Sequence, residues 1–87
     1  MDELQTKVME IVKINIETEE AQNATADADL STIGMDSITF IRIVVALEEA
    51  FEIEVPDEYL LMAEMNTVEK MASIVADALA AKESTSE

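Results

Sequence analysis

Apolar residues recur at three- and four-residue steps in the first and last thirds of the chain, and this spacing predicts a helix in each. The first helix runs from about Asp2 to Ile16, and its apolar face contains Leu4, Val8, Ile11, Val12 and Ile16. The last helix begins at Asn66 or Thr67, and its apolar face contains Val68, Met71, Ile74, Val75, Ala78 and Leu79. Asn66 and Glu69 have the spacing of a capping box at its start.

The segment from Ser37 to Phe51 is too apolar for a helix with a single buried face. One stripe suits a bundle core and contains Phe40, Ile43, Val44, Leu47 and Phe51; a second contains Ile38, Ile41 and Val45 and continues to Glu48. The second stripe either packs inside a tight bundle or lies on the surface as a docking site. Asp36 or Ser37 can cap the helix, and Pro56 is expected to stop it before Val55.

Two connecting segments complete the predicted fold. Residues 17–36 show no usable period and predict an ordered crossover loop, which Leu30 and Ile33 attach to the core. Residues 57–63, DEYLLMA, predict a short third helix. The expected fold class is therefore all-α: a four-helix bundle of three main helices and a short third helix, with a long loop after the first.

Chain length and net charge narrow the range of possible functions. The 87 residues suffice for one domain, expected at 1–81 with a disordered polar tail at 82–87. The net charge of −15 argues against nucleic acid and anionic membranes as partners and favours enzymes with basic patches. The acidic first residues and the absence of a long apolar run predict a cytoplasmic protein, expected to be monomeric.

The sequence favours neither a metal site nor an active site. Cysteine and histidine are both absent, which removes thiolate nucleophiles, disulfides and Cys/His zinc sites. An EF-hand loop counted from Asp27 fails, because its sixth and twelfth positions hold Thr32 and Ile38. Carboxylate pairs such as Glu48 and Glu49 fit a solvated surface. We therefore predict no catalytic residue and no bound metal.

The pentapeptide GMDSI, Gly34 to Ile38, is the remaining candidate site. Ser37 would place its hydroxyl at the exposed N-terminus of a helix, where free N–H groups and the helix dipole favour a phosphodiester. Gly34 allows close approach of another protein or a tight turn. Taken alone, these five residues fit an ordinary helix cap and turn better than a modification site.

The longer stretch DLSTIGMDSITFIRIVVALEEAFEIEVPDEYL resembles the acyl and peptidyl carrier protein family. The matching elements are Asp29, Leu30, Gly34, Asp36, Ser37, Ile38, Leu47, Glu48, Glu49, Phe51, Val55, Pro56, Asp57 and Glu58. Asn66-Thr67-Val68 fits the start of the family's last helix. The resemblance extends from the first helix to about Ala80, and a match of this length is far more specific than the Asp-Ser dipeptide.

This resemblance implies a carrier that is a substrate of enzymes and not itself an enzyme. A phosphopantetheinyl transferase would attach 4'-phosphopantetheine from coenzyme A to Ser37, within a motif that includes Gly34 and Asp36, and Asp36 would help orient the site. The terminal thiol would hold an acyl or aminoacyl group as a thioester. Docking residues implied by the resemblance are Met35, Ile38, Ile41, Arg42, Val45, Glu48, Tyr59 and Met62. Further partners would be an adenylating or acyl-loading enzyme and condensing or tailoring enzymes.

Several departures bear on the subfamily. Fatty-acid carriers usually have acidic residues where this chain has Thr39 and Arg42, Ile38 replaces the commoner Leu, and the segment between Pro56 and Thr67 is slightly long. These features favour a freestanding peptidyl carrier of nonribosomal peptide or related natural-product synthesis. The overall acidity favours a fatty-acid or polyketide carrier instead, and a D-alanyl carrier is a further alternative.

A rival of another class is an acidic helical adaptor that binds a basic partner without a covalent arm. Net charge and helices fit it equally well, but the placement of Gly34, Asp36 and Ser37 and the extended resemblance do not. Phe40 is large, and it predicts that any cargo is small or stays outside the bundle.

Overall fold

The computed structural model describes residues 3–56 and 65–85, and within these ranges the regular structure is helical, without strands. The elements are α1 (Glu3–Asn15), α2 (Glu19–Gln22), a 3₁₀ helix (Leu30–Thr32), α3 (Ser37–Phe51) and α4 (Val68–Thr85). The predicted all-α bundle is confirmed. The predicted short helix at 57–63 lies outside the described residues.

The three long helices pack around one apolar core, in which α1 contacts both α3 and α4. The core side chains from these helices are Val8, Met9, Val12, Phe40, Ile43, Val44, Leu47, Val68, Met71, Ala72 and Val75. Each larger side chain that is fully buried contributes about 1.5–3 kcal/mol to folding. The core stripe predicted for α3 is therefore buried, with Phe51 half-buried at its end.

The crossover between α1 and α3 is ordered, as predicted, but it contains a helix that the sequence pattern did not reveal. Thr18 caps α2: its Oγ1 accepts from the Ala21 N–H over 3.2 Å and donates to the Ile33 carbonyl over 2.6 Å. The four-residue α2 is too short to show a helical period. Ala21 and Leu30 are fully buried, so the crossover forms one wall of the core.

Two backbone hydrogen bonds attach the crossover to the start of α4. The Leu30 N–H donates to the Asn66 carbonyl over 2.7 Å, and the Glu69 N–H donates to the Ala26 carbonyl over 3.0 Å. The second bond satisfies one of the free donors at the helix N-terminus. The long connection is thus held in place by backbone contacts as well as by apolar side chains.

The N-cap of α4 differs from the prediction. Thr67 Oγ1 accepts from the Lys70 N–H over 3.1 Å, whereas Asn66 Oδ1 accepts from Lys70 Nζ over 3.1 Å. The predicted capping box of Asn66 and Glu69 is wrong, because the Glu69 N–H is already bonded to the crossover. Thr67 takes the cap with the same three-residue spacing.

The C-terminus of α3 is set by Glu52 and not by Pro56. Glu52 adopts the left-handed conformation with φ of 55°, and its N–H bonds to the Glu48 carbonyl. This is the backbone geometry of an αL helix end. The chain has therefore left the helix four residues before Pro56, and the predicted role of the proline is wrong.

The C-terminal part of α4 packs back towards this helix end. Lys82 Nζ donates to the Glu52 carbonyl over 2.8 Å and lies 3.8 Å from Glu52 Oε1. The helix extends past Ala81, where the predicted domain ends, to Thr85. Lys82 is therefore part of the folded unit, because its ammonium binds a carbonyl that α3 leaves unpaired. Among the described residues, none of the helices combines the length and the apolar composition that spanning a membrane requires.

Candidate functional site

Ser37 is the first residue of α3, and its side chain is exposed. The cap of this helix is Asp36, whose backbone is extended and whose Oδ1 accepts from the Thr39 N–H over 2.8 Å. No hydrogen bond joins the Ser37 hydroxyl to any residue that the structure describes. Of the two predicted caps the structure selects Asp36, so the Ser37 hydroxyl is left available for reaction.

Asp36 is ionised at neutral pH. The hydrogen bond from the Thr39 backbone N–H lowers the pKa of its carboxyl group below the ordinary value. A carboxylate at this position also interacts favourably with the helix dipole. Asp36 thus orients the first turn of α3, and with it the Ser37 side chain. Its expected part in recognition by a transferase stays a prediction.

Gly34 allows the tight turn before α3. Its φ of 124° is one that L side chains rarely adopt. An added Cβ would lie 2.9 Å from Thr18 Cγ2 and 3.0 Å from Ile16 Cγ2. The glycine therefore allows the crossover to lie against the residues that follow α1. Of the two uses predicted for Gly34, the structure supports the tight turn.

Met35 does not belong to a docking surface. Its side chain is only 2% exposed and is part of the core, and its N–H donates to the Leu30 carbonyl over 3.0 Å. The predicted docking role of Met35 is wrong, because the turn directs this side chain inward. Met35 instead anchors the backbone two residues before Ser37. The spacing of apolar residues in the crossover predicts neither the burial of Met35 nor the close approach of Thr18 to Gly34.

The second stripe of α3 lies on the surface. Ile38, Ile41 and Val45 are 68%, 50% and 45% exposed, and Arg42 is exposed among them. Within the described ranges, Ile14 on α1 is the other exposed large apolar side chain. The alternative that both stripes of α3 are buried is therefore wrong. An apolar surface beginning one residue from Ser37 is typical of a protein-binding site.

Glu48, predicted at the margin of the docking surface, is bonded within the fold. Its Oε2 accepts from the Val55 N–H over 2.9 Å, and its backbone carbonyl accepts from the Ile53 N–H over 3.0 Å. The side chain is half-buried, so these bonds hold the segment after α3 against the helix. Tyr59 and Met62, also predicted for docking, lie outside the described residues.

Replacing Glu48 tests this bond. We expect Glu48→Ala to lower the free energy of unfolding by about 1–2 kcal/mol, because the nearly buried Val55 N–H loses its acceptor. Amide hydrogen exchange at Val55, followed by NMR, should become faster. Glu48→Gln is the matched control, since its amide oxygen can still accept the bond. Unchanged exchange at Val55 in the alanine variant would show that the bond does not hold this segment.

The residues present fit a phosphopantetheine arm. Ser37 offers a free hydroxyl for a phosphodiester, and the N-terminus of the 15-residue α3 provides a favourable field for the phosphate. When attached, the arm supplies a thiol to a chain that has no cysteine. Phe40 is buried in the core beneath the first turn, and the expectation of a small or external cargo stays a prediction. Within the described ranges no cluster of three or more acidic residues is placed to hold a metal ion.

Comparisons with known proteins agree with this geometry. The profile of the family described as "Phosphopantetheine attachment site" matches residues 2–75. Two curated relatives are each named "Acyl carrier protein, chloroplastic", from Brassica napus, and are 34% and 33% identical over 76 residues. These matches cover 87% of this chain but only 55% of each relative, so the chain spans about half their length.

A solved structure also has a similar fold. A chain from a structure described as "The ishigamide ketosynthase/chain length factor" is similar with a TM-score of 0.72 and 25% identity, over 92% of this chain and 99% of that chain. The fold, the exposed Ser37 at the start of α3 and the family match over most of the sequence lead to one conclusion. The chain belongs to the acyl carrier protein family, whose members bear 4'-phosphopantetheine.

Proposed function

We propose that Ser37 accepts 4'-phosphopantetheine and that the arm presents an acyl group, held as a thioester, to partner enzymes. The observation that carries this proposal is the exposed Ser37 hydroxyl, free of hydrogen bonds to described residues, at the N-terminus of a helix with an apolar outer face. The chain itself supplies position: it holds the reactive end of the arm near an enzyme that it has bound.

Attachment requires a phosphopantetheinyl transferase and coenzyme A. The Ser37 oxygen attacks the phosphorus that bears pantetheine, a new P–O bond forms, and the pyrophosphate bond of coenzyme A breaks. The adenosine-containing bisphosphate leaves, and the serine proton passes to a base of the transferase. Asp36 contributes by keeping the first turn of α3 formed while the hydroxyl reacts.

The cargo that the comparisons favour is an acyl group. Both curated relatives are named as acyl carriers, and the similar solved structure is described as a ketosynthase/chain length factor. We therefore propose an acyl-loading enzyme and a condensing enzyme as partners. An aminoacyl cargo, loaded by an adenylating enzyme, is the second candidate, and it is favoured by Thr39 and Arg42 at positions where fatty-acid carriers usually have acidic residues.

Intact-mass spectrometry tests the proposal directly. The purified protein is incubated with coenzyme A and a broad-specificity phosphopantetheinyl transferase, and the expected result is a gain of one phosphopantetheine. A folded sample that gains nothing would favour the acidic adaptor. Protein isolated from its native cells then reveals the cargo, because the mass released with the arm differs between an acyl and an aminoacyl thioester.

A further inference from the structure

Arg42 differs from the other basic residues in its surroundings. The chain contains five basic residues, Lys7, Lys13, Arg42, Lys70 and Lys82, against 20 acidic ones. Lys7 lies one helical turn from Glu3 and Glu10, and Lys13 lies one turn from Glu10. The pKa of the Asp29 carboxyl group is lowered mainly by hydrogen bonds from Ser31, and the nearby charge of Lys70 lowers it further. Lys82 forms the ion pair with Glu52.

Along α3, Arg42 has no comparable acidic neighbour. The positions one turn away on α3 are Ile38, Thr39, Val45 and Ala46, and none of them is acidic. No ion pair joins Arg42 to any residue in the described part of the chain. Its exposed side chain therefore stands between the exposed apolar groups of Ile38 and Val45, without a counter-charge among the described residues.

We infer that this surface, defined by Ile38, Ile41, Arg42 and Val45, fits a condensing-enzyme surface that is apolar and places a carboxylate opposite Arg42. The inference deepens the proposed function and rests on it. A partner that covers Ile38 and Val45 also removes Arg42 from water, which is costly unless an acidic group pairs with the guanidinium. A carboxylate can bind both edges of the guanidinium fork at once, which an ammonium cannot match.

The net charge attracts partner enzymes over long distances, whereas Arg42 discriminates between them at contact. The net charge of −15 draws the protein towards any basic surface over long distances. A partner with a lysine or arginine opposite Arg42 would nevertheless be rejected at contact, because like charges would be brought together in a dry interface. The partner surface is therefore expected to be basic around its edge and acidic at one central point.

Charge reversal tests the inference. The probe is purified ketosynthase/chain length factor, titrated into isotope-labelled, phosphopantetheine-bearing protein and followed by NMR. We expect Arg42→Glu to weaken binding by about tenfold or more, and Arg42→Lys to weaken it less. Lys7→Glu is the matched control: it changes the net charge by the same amount, but Lys7 lies exposed on α1. With this variant binding should stay the same or become tighter.

Three results would overturn the inference. The first is binding of Arg42→Glu that equals or exceeds wild-type binding, which would indicate a basic or neutral surface opposite Arg42. The second is equal weakening by Arg42→Glu and Lys7→Glu, which would indicate an effect of net charge alone. The third is no binding of wild-type protein to this probe. Because mass spectrometry has already shown that the same sample carries its phosphopantetheine, the third result removes this condensing enzyme as a partner and leaves the attachment of the arm to Ser37 standing.

Discussion

Ser37→Ala is expected to abolish phosphopantetheine attachment while changing the free energy of unfolding by no more than about 0.5 kcal/mol. The reaction is lost because the substitution removes the attacking oxygen. Stability is retained because Asp36, and not Ser37, caps α3, and the Ser37 hydroxyl forms no hydrogen bond with the described residues. Intact-mass spectrometry after incubation with coenzyme A and transferase measures the first effect, and urea unfolding measures the second.

A second serine provides the control for this experiment. Ser73 is exposed on α4, and Ser73→Ala should still gain one phosphopantetheine. Attachment to Ser37→Ala would place the modification on another residue and contradict the assignment. A large loss of stability in Ser37→Ala would instead show that Ser37 holds the helix end, a role that the Asp36 cap argues against.

Gly34→Ala is expected to lower the free energy of unfolding by about 2–6 kcal/mol, from two causes of about 1–3 kcal/mol each. The φ of 124° is strained for alanine. The new methyl group would also collide with the methyl groups of Thr18 and Ile16. Because Gly34 lies three residues before Ser37, the displaced turn should also slow phosphopantetheine attachment. Urea unfolding and attachment rates by mass spectrometry measure the two effects.

A double-mutant comparison separates the two causes. Thr18→Ser removes the Cγ2 that the new methyl group would approach, yet keeps the Oγ that bonds to Ala21 and Ile33. In the Thr18→Ser background Gly34→Ala should therefore cost less, while the backbone strain and the contact with Ile16 remain. A cost below about 0.5 kcal/mol for Gly34→Ala in the wild-type background would mean that the turn relaxes freely.

The helices that were predicted well are those whose evidence is local. The range Ser37–Phe51 matches α3 at both ends, because an apolar period and a capping carboxylate are properties of neighbouring residues. The position of Ser37 at the helix start was predictable for the same reason. The predictions were wrong where a segment distant in sequence binds the backbone or side-chain groups in question. Glu69 is bonded to Ala26 instead of taking part in a capping box, and Lys82 is held by Glu52 instead of lying in a tail.

The predictions for the site residues were also wrong where long-range contacts decide the structure. Met35 stands beside the modified motif in sequence, but the turn at Gly34 sends its side chain into the core. Glu48 continues the docking stripe in sequence, but a half-buried bond to Val55 uses its carboxylate. Both differences come from long-range packing and have no counterpart in the spacing of residues.

The sequence by itself determined the all-α class, the extent of α3, the position of Ser37 and the resemblance to carrier proteins, because period, capping and motif spacing are local. It also showed that α3 has two apolar stripes, but it left open which of them is buried. Only the tertiary structure decided this, since the core that α3 shares with α1 and α4 buries Phe40, Ile43 and Leu47 and leaves Ile38, Ile41 and Val45 exposed. Within an isolated helix nothing distinguishes two stripes of similar hydrophobicity, and the neighbouring helices determine which of them meets solvent.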